Sequence, residues 1–117
     1  MTKEQVLQDI VDIHQDGGIS KRVFENSINM VNDTIPEDAI PLVGEGDVYA
    51  TDYGTLVIGF FSDEQYTEID LEIGSEEFGY CIEFRGVIGC MVESALFIDK
   101  DLECLKLQIN NFLSDIN

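Results

Sequence analysis

Residues 66–73 read Tyr66-Thr67-Glu68-Ile69-Asp70-Leu71-Glu72-Ile73. Ile69, Leu71 and Ile73 alternate with Glu68, Asp70 and Glu72, the period-two pattern of a strand with one buried and one wet face. Residues 78–85 repeat the pattern, with Phe78, Tyr80, Ile82 and Phe84 set against Cys81, Glu83 and Arg85. Thr55 to Phe61 is rich in β-forming residues. The turn-forming runs Ser62-Asp63-Glu64-Gln65 and Gly74-Ser75-Glu76-Glu77 separate the three segments. This spacing predicts an antiparallel meander. A fourth strand is expected within Cys90–Ile98, where apolar residues fall on both faces.

Helical patterns flank the meander. Thr2 and Gln5 form a capping box, followed by Val6, Leu7, Ile10 and Val11 on one face. Gly17-Gly18 ends that helix. Ser20 caps a second, with Val23, Phe24, Ile28 and Val31 inward. Residues 35–54 carry Pro36, Pro41, Gly44 and Gly46 and read as an irregular acidic connection, with a short extended piece at Val48-Tyr49-Ala50. After the meander, Leu102, Leu105, Ile109, Phe112 and Leu113 make the stripe of a last helix. The expected fold is α+β and a single domain over 1–117. It comprises a helical hairpin (1–34), the connection (35–54), a meander of three to four strands (55–98) and a C-terminal helix packed on the sheet (99–115).

Four-residue hairpin loops would set Phe61 opposite Tyr66 and Ile73 opposite Phe78. Counting inward, Ile58 meets Ile69, Leu56 meets Leu71, Leu71 meets Tyr80 and Ile69 meets Ile82. One face is then wholly apolar. The other collects Glu68, Asp70, Glu72 and Glu83, with Glu68 directly across from Glu83. Like charges so placed oppose folding by up to ~1 kcal/mol. Folding alone does not favour this arrangement.

Charge extends the point. The chain of 117 residues has 24 Asp and Glu against 6 Lys and Arg, a formal net charge of −18. No Lys, Arg or His occurs between Arg22 and Arg85. Such a surface repels nucleic acid and anionic membrane and attracts cations. Acids two apart on a strand repeat at roughly 6.6 Å, near the spacing of successive phosphates along a nucleic-acid strand. The expected binding face is Glu68, Asp70, Glu72 and Glu83 with Asp63 and Glu64 beside them, and Phe61 and Tyr66 as aromatic anchors. The expected partner is a basic, nucleic-acid-binding protein, with no direct contact to nucleic acid or membrane. A homodimer is compatible with the same totals.

Other chemistry is thinly represented. His14 is the single histidine, placed late in a helix where a cation suits the dipole. Cys81, Cys90 and Cys104 have no metal-ligand spacing. Asp99-Lys100-Asp101-Leu102-Glu103 lacks the central glycine and distal glutamate of a calcium loop. Gly86-Val87-Ile88-Gly89 is a turn, not a phosphate loop. The expectation is no enzyme, no cofactor and no metal. No apolar run follows Met1-Thr2-Lys3-Glu4 as in a signal peptide, and the odd, unpatterned cysteines suit a reducing compartment, so the expected location is cytoplasmic.

From about residue 47 to 85, through Tyr49-Ala50-Thr51-Asp52-Tyr53-Gly54-Thr55-Leu56-Val57-Ile58 and into the meander, the chain resembles small acidic bacterial and phage proteins of the inhibitor, antitoxin and immunity type. That resemblance implies an inhibitor-like binding role and transfers no functional residue. The rival expectation is an accessory or adaptor subunit docked through apolar surface at Val57, Phe61 and the two-sided fourth strand. A small enzyme using carboxylates alone is a third.

Overall fold

A computed structural model describes residues 1–62, 67–84, 87–96 and 99–116. The architecture is α+β. Helices α1 (Lys3–Gln15) and α2 (Lys21–Asn29) precede strands β1 (Val48–Ala50), β2 (Leu56–Ser62), β3 (Thr67–Ile73), β4 (Glu77–Phe84) and β5 (Val87–Leu96), and helix α3 (Asp99–Ile116) follows. The strands form one antiparallel sheet in chain order, β1-β2-β3-β4-β5.

Local chemistry explains the helical part. Thr2 Oγ1 accepts from the Gln5 amide at 3.2 Å while Gln5 Oε1 accepts from the Thr2 amide at 2.8 Å, a complete capping box. Gly17, at φ 82°, closes α1 in the left-handed conformation that glycine adopts cheaply. The Ser20 hydroxyl caps α2 through the Val23 amide. α2 widens into a π turn at Met30–Thr34 and stops where Ile35, extended ahead of Pro36, can no longer be helical.

The connection after Pro36 is more ordered than its sequence indicates. Glu37–Leu42 is a 3₁₀ helix, and it buries Ala39, Ile40 and nearby Val43 in the core. Ile40 and Val43 are three apart, the 3₁₀ period, and the two prolines hide that short signal. Val48–Ala50, expected as a short extended piece, pairs with β2 and adds a fifth strand to the four of the meander. β5 begins before the expected Cys90: Val87, Ile88 and Gly89, read as part of a turn, are strand, while Phe97 and Ile98 lie outside the described residues. Its ladder with β4 shifts between Phe78 and Tyr80 and again between Ile82 and Glu83. A register broken twice by bulges cannot show clean alternation.

The second hairpin has the expected register: Ile73 pairs with Phe78, Leu71 with Tyr80, Ile69 with Ile82 and Glu68 with Glu83. Its turn is tight, closed by the Gly74 amide on the Glu77 carbonyl at 2.8 Å. The first hairpin differs by two residues. Phe61 lies opposite Glu68, not Tyr66, because Ser62 pairs with Thr67. This register matches Leu56 with Ile73, Ile58 with Leu71 and Phe60 with Ile69. The expected one would have set Phe60 against Thr67 and Ile73 against Gly54. A two-residue slip preserves the faces, so the division into apolar and acidic sides survives.

The apolar side is the core. Leu56, Ile58, Phe60, Ile69, Leu71 and Ile73 are fully buried, with Phe78 and Tyr80 nearly so. Val6 and Ile10 of α1, Val23 of α2, and Leu105 and Ile109 of α3 belong to the same cluster. The Tyr80 hydroxyl lies 3.6 Å from Cys104 Sγ, tying the sheet to α3. Among the described residues, no helix is long and apolar enough to cross a membrane.

Candidate functional site

The side of the sheet facing away from that core is a small lattice. One row across the strands is Tyr49, Val57, Glu72 and Gly79; the next pairs Gly59, Asp70 and Cys81; the third is Phe61, Glu68 and Glu83. The Gly59 amide donates to the Asp47 carbonyl at 2.8 Å, which adds Asp47 to the middle row. Rows lie roughly 6.6 Å apart along a strand, and neighbours within a row about 4.8 Å apart. Asp47, Glu68, Asp70, Glu72 and Glu83 therefore share one surface.

Gly59 sits at its centre. A Cβ there would lie 3.2 Å from Asp70 Oδ1 and 3.5 Å from Asp47 Cβ, so the two aspartates flank a position that has no side chain. Asp47 is also anchored, its Oδ2 accepting from the Gly44 amide at 3.1 Å. Glu72 takes a hydrogen bond from the Thr55 hydroxyl. Glu68, Asp70 and Glu83 are half-buried and Glu72 is exposed.

Burial first, and then this crowding, raises the proton affinity of two carboxyls. Glu68 is pushed above its ordinary value first by burial, then by the charge of Asp70 and a proton shared with it, and then by Glu83 and Asp47. Asp70 is also raised, mainly by burial. Glu83 and Asp47 add to that, and the hydrogen bond from Glu68 opposes it. The two ion pairs found among the described residues, Lys3–Glu37 at 4.0 Å and Lys21–Glu25 at 3.9 Å, lie among the helices and their connection. Arg85, the cation nearest this face in sequence, lies outside the described residues, as do Asp63, Glu64 and Tyr66.

A pH dependence follows. Folded carboxyls above their ordinary values of 4.5 for Glu68 and 3.8 for Asp70 hold protons that the unfolded chain releases. Stability is therefore gained as pH falls through the raised values and lost as pH rises through them. The melting temperature should climb as pH falls from neutral toward the ordinary carboxylate range. The climb should shrink in the Glu68→Gln/Asp70→Asn double variant, as differential scanning calorimetry would register. An unchanged climb in that variant would assign it to other groups.

The structure brings Glu68, Asp70, Glu72, Glu83 and Phe61 together, with Phe61 40% exposed beside the acids. It adds Asp47 and the 48%-exposed Tyr49, which sequence reasoning left in the connection. Their signal was the alternation of Asp47 and Tyr49 about buried Val48, too short to stand alone. Val57, expected as an apolar docking contact, is only 7% exposed and offers little surface. His14 stacks on Phe24, with ring centroids 4.4 Å apart, and so acts in packing. Among the described residues, no three His, Cys, Asp or Glu side chains converge as a metal site would require. Compared with known protein families, curated proteins and solved structures, the chain matches none.

Proposed function

We propose that the chain is a non-enzymatic binding protein that neutralises a basic, nucleic-acid-handling protein by presenting this carboxylate lattice where a phosphate backbone would lie. One observation carries the reading: Glu68 is paired directly with Glu83 on the face that also holds Asp47, Asp70 and Glu72. The repulsion costs the free protein stability and is relieved when a cationic surface docks. Phe61 and Tyr49 at the margins supply the aromatic contacts that protein interfaces favour.

The test is capture of basic proteins from bacterial lysate on the immobilised chain, followed by competition with duplex DNA. The expected result is retention of nucleic-acid-binding proteins, elution by moderate salt and mutual exclusion with DNA. Exposed charge contacts fade as the screening length falls from about 8 Å at physiological ionic strength to about 3 Å at 1 M. Retention that persists at high salt would instead favour an accessory subunit docked through apolar surface. Simultaneous binding of DNA and the chain to the captured protein would refute mimicry.

A further inference from the structure

At one end of the acidic lattice a cleft of about 370 Å³ opens between the Thr51–Thr55 turn and the Gly74–Glu77 turn. Tyr53 and Thr55 form one wall and Glu76 the other, with Glu72 and Gly79 between them. Glu72 and Gly79 are direct cross-strand partners, and both line the cleft. The Thr51–Thr55 turn is held by several bonds. Its ends pair through the Thr51 amide and Thr55 carbonyl at 2.9 Å, Thr51 Oγ1 accepts from the Tyr53 amide at 3.2 Å, and Gly54 adopts φ +78°. The Thr55 hydroxyl in turn fixes one oxygen of Glu72. The result is a tied-down turn that puts Tyr53, 91% exposed, on a cleft also lined by Glu72, Glu76 and Glu77.

We propose that this cleft receives a single arginine side chain of the basic partner. The inference rests on the reading above that the partner is basic, and it adds which cation is selected and where. An aromatic face and a carboxylate in one small cleft suit a guanidinium. Its planar fork pairs with a carboxylate through two hydrogen bonds, and its face stacks on a ring; an ammonium offers neither geometry. The volume lies near the lower end of the ~300–1,000 Å³ typical of ligand pockets, the scale of one side chain rather than a length of chain. The chain itself provides a precedent, since Arg22 Nε donates to the Ser75 carbonyl of the same turn at 3.2 Å.

The test is an amide-resolved NMR titration of the intact chain with N-acetyl-arginine amide and, separately, N-acetyl-lysine amide. The arginine compound should shift the Tyr53, Gly54 and Gly79 amides saturably and bind more tightly than the lysine compound. Tyr53→Ala should weaken it by roughly three- to five-fold, and Glu76→Gln should weaken it as well. Both residues are exposed, so neither variant threatens the fold. Glu68→Gln/Glu83→Gln should leave the titration unchanged. Equal binding of the two compounds, or an affinity for the arginine compound unchanged in Tyr53→Ala, overturns the assignment. The larger reading fails separately: basic proteins captured equally well by wild type and by the chain with Glu68, Asp70 and Glu83 amidated would discard the acidic face but not the cleft.

Discussion

Converting Glu68, Asp70, Glu72 and Glu83 to their amides slows association with a basic partner by about ten-fold or more at low ionic strength, while making the free protein more stable. Charge concentrated on one face raises encounter rates by roughly 10–1,000-fold, and these are four of the five carboxylates that the described residues place on that face, Asp47 being the fifth. The stability gain, up to ~1 kcal/mol for the Glu68–Glu83 pair, has the opposite sign to the binding loss. A control variant separates local from global charge. Amides at Glu4, Asp16, Asp33 and Asp38, all exposed and away from the sheet, change the net charge equally. Stopped-flow association should show the face variant slow and steeply less salt-dependent, with the control near wild type. Equal slowing in both would reduce the acidic face to one part of a diffuse field.

Phe60→Ala should cost about 3–5 kcal/mol of unfolding free energy in urea titration, a large share of the roughly 5–15 kcal/mol that holds a domain of this size. Phe60 is fully buried and paired with Ile69, against a layer that includes Leu105 and Ile109. The adjacent Phe61 points to the acidic side and is 40% exposed. Phe61→Ala should cost no more than about 1 kcal/mol and weaken partner binding instead. Two neighbouring phenylalanines thus test the strand's period-two division of labour. Comparable stability losses at both would mean the two faces are not distinct.

Much of this division is legible from residues 66–84 alone, because a half-buried strand writes its two faces as alternating letters. That pattern fixes the parity of every pairing but not the choice between registers two residues apart. Only the matching of Leu56, Ile58 and Phe60 with Ile73, Leu71 and Ile69 decides between them. The 3₁₀ helix escaped because six residues carry too little periodicity, and the extended piece at Val48–Ala50 was legible but its pairing with β2 was not. With them went Asp47 and Tyr49, which reach the site only once β1 pairs. The Tyr53 cleft escaped for a different reason: it is made by two turns distant in sequence, and no local pattern announces it.

The central claim is that Asp47, Glu68, Asp70, Glu72 and Glu83 crowd one sheet face, where no ion pair offsets them among the described residues. Side-chain carboxyl ¹³C titration of Glu68 and Asp70 by NMR tests this most directly. Burial and the neighbouring carboxylates should make both titrate above their ordinary 4.5 and 3.8. Titration at or below those values would show the charges already neutralised within the chain, and would contradict the claim.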